Sequence, residues 1–311
     1  MDKLPRVSIV TPSYNQGRFL EKTILSVLNQ DYPNLEYIII DGGSTDGSAD
    51  IIQKYANRLA YWVSEPDAGQ ADAINKGWRI SHGEILAYLN SDDTYEPQAV
   101  RAAVKIFQAH PEVCLVYGNM NLIDEQGNVI RQFHAPDFDL RTFVGNSCYV
   151  RQPTVFIRRA ALEAVGMLDT SLKYAMDYDL FIRICARFPV YRISRVMANF
   201  RYHTLSKTMS GNDDRGETTF WPEERALLER TALDTEFPTE VRALAWRRIG
   251  IHYYEHRNMA LARQMFLRAI CMDRRLIGDW ALCCLLLKSL LGGKLVEAVS
   301  RARRGFAARA S

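Results

Sequence analysis

Ile85-Leu86-Ala87-Tyr88-Leu89-Asn90-Ser91-Asp92-Asp93 carries the fold of this chain. Five apolar residues in a row form a buried strand, and two adjacent acids stand where that strand ends. In an open α/β sheet, ligands sit in the crevice at the carboxyl edge of the strands. Two neighbouring carboxylates repel there unless a cation joins them. Hard oxygen ligands suit Mg²⁺ or Mn²⁺, which usually also hold substrate phosphates. Ser-Asp-Asp is equally good turn chemistry, so the stretch takes its meaning from its neighbours.

Upstream, Val7-Ser8-Ile9-Val10-Thr11 is a β-rich run that breaks at Pro12, and a helical pattern follows with Phe19, Leu20, Ile24, Val27 and Leu28 on one face. Glu36-Tyr37-Ile38-Ile39-Ile40-Asp41 is a second strand ended by Gly42-Gly43, after which Asp46 or Ser44 can cap a helix. Leu59 to Val63 reads as a third strand and Asp72 to Arg79 as a helix. Steady alternation of this kind predicts an α/β class with a largely parallel sheet and right-handed crossovers.

Downstream the pattern loosens. Val113 to Tyr117 and Val129 to Phe133 flank a turn-rich insert, Asp124-Glu125-Gln126-Gly127-Asn128, which predicts antiparallel pairing. Thr154 to Ile157 is a further strand, and Asp177 to Phe188 a helix with Phe181, Ile184, Cys185 and Phe188 inward. Residues 206–219 are polar and aperiodic, a length that marks a functional or disordered loop. From about residue 222 the chain reads as all helix. Trp246, Ile249, Gly250 and Tyr253, then Ala262, Phe266 and Ala269, have the spacing of one tetratricopeptide helix pair. A lone repeat cannot bury its own face. The expected division is therefore a domain over 1–221 and, over 222–311, a helical extension docked on it.

Composition excludes some classes. The chain has 311 residues, 48% of them hydrophobic, enough for one large or two ordinary domains. A net charge of +3 from 39 basic and 36 acidic residues gives no global field for nucleic acid. Six scattered cysteines without Cys-x-x-Cys spacing point to buried thiols in a reducing cytosol. Met1 to Arg6 run directly into a strand pattern, so no secretory signal is expected and the placement is cytoplasmic. Leu276 to Leu291 is apolar but interrupted by Asp279 and Lys288 and too short to span a bilayer. The basic tail beyond it, with Lys294, Arg301, Arg303, Arg304 and Arg309, can lie on an anionic inner leaflet as a peripheral contact. A buried helix pair with a solvated basic face is the competing reading.

Five motifs occur in order: Thr11-Pro12-Ser13-Tyr14-Asn15, Asp41 to Ser48, Asp67 to Gly77, Asn90-Ser91-Asp92-Asp93, and Met176-Asp177-Tyr178-Asp179. Together they resemble the family-2 glycosyltransferases of the GT-A fold, over about residues 5–205. The resemblance implies an inverting, metal-dependent enzyme that moves sugar from a nucleotide-diphosphate donor, a UDP-sugar foremost. The acceptor it implies is a saccharide or lipid-linked hydroxyl in bacterial polysaccharide or lipopolysaccharide assembly.

It also implies roles. Thr11, Pro12 and Ser13 would meet the nucleobase and ribose, and Asp41 would accept from a base N–H. Asp67, Gln70, Asp72 and Asn75 would lie near the nucleotide and donor sugar, although Asp67 or Asp72 can equally cap the helix. Asp93 would ligate Mn²⁺ or Mg²⁺, with Asp92 on the ribose or a metal-bound water and Asn90 where the first acid often stands. Asp177 would be the catalytic base, kept ionised by a helix N-terminus, with a plain helix cap as the competing role. Met176 replaces the usual preceding Glu. Asp179 reads as an i,i+4 partner of Arg183, and more weakly with Gln152 as part of the acceptor region. His203 is a third metal candidate, since a neutral imidazole can ligate Mn²⁺, or else a surface histidine.

Two other functions fit part of this pattern. A sugar-nucleotide pyrophosphorylase also joins a nucleotide fold to metal-binding acids, but the Gly-rich, Lys-bearing loop it needs is missing near the N-terminus. A non-catalytic scaffold would use the helical tail alone, and the acids at 93 and 177 argue against it.

Overall fold

The computed structural model describes residues 4–204, 206–207 and 220–291. The polar segment beyond Lys207 and the basic tail from Lys294 lie outside them, so the readings of a functional loop and of a leaflet contact fall outside the described residues. Two compact units are present, one of residues 1–138 with 148–223, the other of 139–147 with 224–311.

The first unit is built on a nine-stranded sheet. Its strands are β1 (Val7–Ser13), β2 (Leu35–Asp41), β3 (Tyr61–Ser64), β4 (Ile85–Tyr88), β5 (Thr94–Tyr95), β6 (Leu115–Ile123), β7 (Val129–Phe133), β8 (Phe156–Arg158) and β9 (Val190–Arg201). The order is β3-β2-β1-β4-β8-β6-β9-β5, with β7 added beside β6. β1 to β4 pair in parallel, β8 runs against both β4 and β6, and β9 runs parallel to β6. The sheet is thus mostly parallel in direction, with β6–β7 the antiparallel pair predicted around the turn at Asp124.

Helices α1 (Gly17–Leu28), α2 (Ser48–Lys54), α3 (Gln70–Ile80) and α4 (Ala99–Ala109) connect the early strands. Phe19, Leu20, Ile24 and Val27 of α1 are buried, as their spacing requires, and the last three join Ile9, Ile39 and Ala87 in one core. The order β2-β1-β4 reverses direction of travel at β1, so the crevice between the carboxyl ends of β1 and β4 is a topological switch point.

Pro12 does not end β1, which continues through Ser13. The β4 ladder stops where Leu89 N–H reaches the Val10 carbonyl, so the N–H that proline lacks would have faced a gap. Parting of the two strands at that level opens the crevice. Gln152–Thr154 form a 3-10 turn instead of the start of a strand, and β8 begins only at Phe156. Helix α7 (Met176–Cys185), after α5 (Leu140–Gly145) and α6 (Arg159–Val165), ends three residues earlier than its apolar pattern suggests.

The second unit holds α5, part of α8 (Trp221–Leu233), and α9 (Thr239–Glu255), α10 (Met259–Met272) and α11 (Trp280–Leu291). Trp246, Ile249, Ala262, Phe266 and Ala269 are buried between α9 and α10. α5, read as part of the first domain from sequence, belongs here: Gly145 abuts Leu244 and the Arg248 guanidinium donates to the Val144 carbonyl. All six cysteines are free, and Cys271 is exposed instead of buried. Among the described residues no helix is long and apolar enough to cross a membrane.

Candidate active site

The end of β4 is a tight corner. Asp93 N–H donates back to the Asn90 carbonyl, and the Thr23 hydroxyl of α1 reaches the carbonyls of both Ser91 and Asp93, at 2.9 and 2.7 Å. This fixes the two acids in opposite settings. Asp93 is fully buried, accepting from Arg201 N–H at 2.9 Å and facing the Asn90 amide at 3.4 Å. Burial, then the neighbouring Asp92, push its pKa well above the carboxylate range. Asp92 keeps some exposure, and its Oδ2 lies 2.9 Å from His203 Nε2.

The corner thus gives the two acids different partners: the Asp93 carboxylate meets one backbone N–H and the Asn90 amide, whereas Asp92, partly exposed, faces the buried His203 ring. Among the described residues no cluster of three or more His, Cys, Asp or Glu could hold a metal ion by itself. One carboxylate oxygen and one imidazole nitrogen side by side do suit Mn²⁺, with substrate or water oxygens completing the shell. His203 is buried, not a surface residue. Its ring lies 4.8 Å from Phe19, and Arg18 donates to Nδ1 at 3.1 Å. Arginine only donates, so in this arrangement Nδ1 accepts and Nε2 carries the proton that it donates to Asp92. The ring would ligate a cation through Nε2 only after that proton moves and the Arg18 contact is given up.

Ser13, last in β1, is buried with a hydroxyl that has no partner among the described residues. A buried hydroxyl left unpaired costs free energy, and here it stands at the switch point where a ligand would satisfy it. Thr11 and Asp41 spend their polar atoms on protein partners. The Thr11 hydroxyl is buried against Tyr37 Oη at 3.0 Å. Asp41 is buried too, accepting from Ser44 N–H and Oγ and from Ser64 Oγ, so it orders its own loop. That loop is tied to the one after β1, since Asn15 bonds Ser44 and Thr45 and Gly17 N–H donates to Asp46.

Asp67 and Asp72 shape the entry to α3, accepting from Gly69 N–H at 2.8 Å and Ala68 N–H at 3.2 Å. A Cβ on Gly42 would sit 2.8 Å from Asp67 Oδ2, so the glycine is what lets the two loops meet. Asn75 is buried, and its amide bonds the backbone of Leu168 in both directions.

Asn90, noted only as a departure from an acid, is the centre of an amide chain. Gln70 donates to its carbonyl at 2.6 Å, it donates to Gln152 at 3.2 Å, and Gln152 donates to the Tyr88 carbonyl. Lys207 extends the chain, donating to Gln70 Oε1 at 2.7 Å. An amide both donates and accepts, which an acid at 90 would not. Gln152 therefore supports the corner and is buried.

Asp177 is the second residue of α7, and Ala175 is the N-cap, so the plain-cap alternative fails. Its Oδ1 accepts from Tyr178 N–H at 2.8 Å. The helix end does not keep it readily ionised. Burial raises its pKa, and that outweighs the pull of the Tyr178 and Asp177 N–H groups, Lys207 and Arg151 in the other direction. Tyr88, ending β4, feels the charges of both Asp177 and Asp93, which brings α7 to the same strand end. Asp179 is buried against Arg183 at 2.7 Å, the i,i+4 pair its spacing predicts.

Arg18, Arg201 and Lys207 were not singled out from sequence. Arg201 is buried against Phe19 and donates to the carbonyls of Asp92, Asp124 and Glu125. Only its position two residues before His203 hinted at this.

Comparison with known proteins agrees with the geometry. The profile described as Glycosyl transferase family 2 matches residues 8–166, just over half of the chain. An uncharacterized glycosyltransferase of Rickettsia typhi is 29% identical over 212 residues, 66% of each chain. The chain thus spans just under two thirds of that relative. A solved structure of S. aureus TarS in complex with UDP-GlcNAc shares the fold, with TM-score 0.65 at 15% identity over 91% of this chain and 89% of that one. So does a mannosyltransferase from Pyrobaculum calidifontis in complex with GDP-Man and Mn²⁺, with TM-score 0.58 at 20% identity over 93% and 87%.

Proposed function

The chain belongs to glycosyl transferase family 2, and on that premise we propose that it moves a sugar from a nucleotide-diphosphate donor to an acceptor hydroxyl. The observation that carries this reading is the convergence on one strand end of the Asp92–His203 pair and the buried Asp177. The unpaired Ser13 hydroxyl, with Asp67, Gln70 and Asp72 beside the crevice, would line the nucleotide side. Asp92 and His203 would hold Mn²⁺ or Mg²⁺, whose charge offsets that on the departing diphosphate.

Asp177 takes the proton of the acceptor hydroxyl. The acceptor oxygen forms its bond to the anomeric carbon from the face opposite the diphosphate, and the carbon–oxygen bond to the diphosphate breaks. The bonding pair leaves with the nucleoside diphosphate, so the configuration inverts. Asp93, Asn90 and Gln152 keep the corner rigid, which placement of donor and acceptor in line requires.

Neighbours of the same fold bind UDP-GlcNAc and GDP-Man, so both nucleotide classes enter the test, UDP-sugars first. A saccharide or lipid-linked acceptor in cell-surface polysaccharide or lipopolysaccharide assembly, at the inner face of the membrane, is the setting we assign. A panel of UDP- and GDP-sugars with Mn²⁺, read by nucleoside diphosphate release, tests the reading. Asp177→Asn should abolish transfer while donor binding persists. Near-normal turnover by that variant would remove Asp177 from the base role, and release of pyrophosphate would make the protein a pyrophosphorylase.

A further inference from the structure

The three N–H groups that precede α7 do not find partners in their own segment. Lys173, Tyr174 and Ala175 N–H all converge on one carboxylate, that of Glu223, at 2.8, 2.7 and 2.9 Å. Glu223 stands in the first turn of α8, some fifty residues further along the chain. α7 has no side-chain cap of its own, since its N-cap is Ala175. A carboxylate at this end satisfies donors that would otherwise be orphaned and lies at the positive end of the helix dipole.

The same carboxylate belongs to a charged cluster around Asp177. Lys207 is lowered by burial and pulled back up by Asp177 first and then Glu223, so its ammonium lies near both. Lys207 also sits 5.7 Å over the Tyr174 ring, and Phe220 packs on that ring at 4.7 Å. Glu223 therefore holds the backbone of a loop that side chains from both Lys207 and Phe220 pack against. Two residues beyond that loop comes Asp177.

We propose that Glu223 is a positioning residue for Asp177: it fixes the turn into α7, and so the place of the base, without touching substrate. The inference rests on the reading of Asp177 as base. A shift of about 1 Å at a reacting group can cost on the order of a hundredfold in rate. A base displaced by loss of its anchor should therefore lose turnover while leaving the donor site at Asp92 and His203 undisturbed.

The test compares wild type, Glu223→Gln and Asp177→Asn with the donor of the panel that wild type turns over fastest. Glu223→Gln keeps the shape but replaces one of the accepting oxygens with a donor. The expected result is a kcat reduced about ten- to a hundredfold with donor KM changed less than about twofold. Unchanged kcat, or kcat and KM moving together with a lowered folded fraction, would overturn the positioning role. Amide exchange in wild type gives a second measurement that needs no variant: Lys173, Tyr174 and Ala175 should be protected. Exchange at open-loop rates there would also overturn it. No donor turned over by wild type, or a fully active Asp177→Asn, would instead sink the base reading on which the inference stands.

Discussion

Asp92 and Asp93 are one bond apart in sequence and chemically the same, yet the fold gives them different work. The carboxylate of Asp93 is consumed by Arg201 N–H and the Asn90 amide, while Asp92 faces His203. Asp92→Asn and His203→Ala should each weaken Mn²⁺ binding in the presence of UDP by about ten- to a hundredfold, read by calorimetry. Asp93→Ala should mainly destabilise the fold, by about 1–3 kcal/mol for the buried N–H left unpaired. A large loss of Mn²⁺ affinity in a folded Asp93→Asn protein would reverse this assignment. Asp177 carries the pH argument. Its pKa is raised by burial, so the base form is lost as pH falls through a value above the ordinary Asp range. The acid limb of kcat should stand correspondingly high. The sign for stability is opposite to that of a salt-bridged acid: below the unfolded-state pKa both states are protonated and no penalty exists. Above the folded-state pKa the buried charge opposes folding. Asp177→Asn should therefore raise the melting temperature at neutral pH, and a lowered one would show that the charge is better solvated than its burial implies.

At the level of elements, packing against the sheet sets the limits. Gly77 lies inside α3, where alanine would gain about 1 kcal/mol of helix propensity. An added Cβ, however, would stand 2.5 and 2.7 Å from the two methyl groups of Val10 in β1. Overpacking of a close-packed core costs about 1–3 kcal/mol, so Gly77→Ala should lower stability, as denaturant unfolding would register. A stabilised variant would mean that α3 can lift off β1 without penalty. The strands that carry the site were legible because Ile38 to Ile40 and Ile85 to Leu89 are short unbroken apolar runs followed by turn residues, as in strands buried on both faces. β9 was not read in full. It mixes arginines with apolar residues, and its register against β6 shifts twice near Asn119, which blurs any alternation. The family resemblance is what puts Thr11, Asp41 and Asn75 near the ligand. Which way a side chain points at a strand end depends on neighbours such as Tyr37, Ser64 and Leu168, which lie far along the chain. The three-way grip of Glu223 has no local signal at all, since donors and acceptor are about fifty residues apart.

For the whole molecule, the division into units is not a single cut. Residues 139–147 leave the first unit and join the second, and the chain returns to the first at Cys148. Phe143 and Val144 of α5 are fully buried, and α5 packs against α9. Burial of two such side chains contributes roughly 1.5–3 kcal/mol each, a substantial share of the roughly 5–15 kcal/mol that hold an ordinary domain. A six-residue helix has no stability of its own. Truncation after Glu223 removes α9 and with it the Arg248 bond to the Val144 carbonyl. α5 should then melt into a loop closed between Phe138 and Cys148, while the nine-stranded sheet, whose strands all lie in the retained unit, stays paired. Trypsin would read the difference at Arg141, which is exposed in the intact chain but held in the first turn of a packed helix. Proteases need a locally unfolded stretch, so cleavage there should be slow in the full chain and fast in the truncated one. Equal rates would mean that α5 is held by the first unit, and that the helices from Glu224 onward are an appendage with a single boundary.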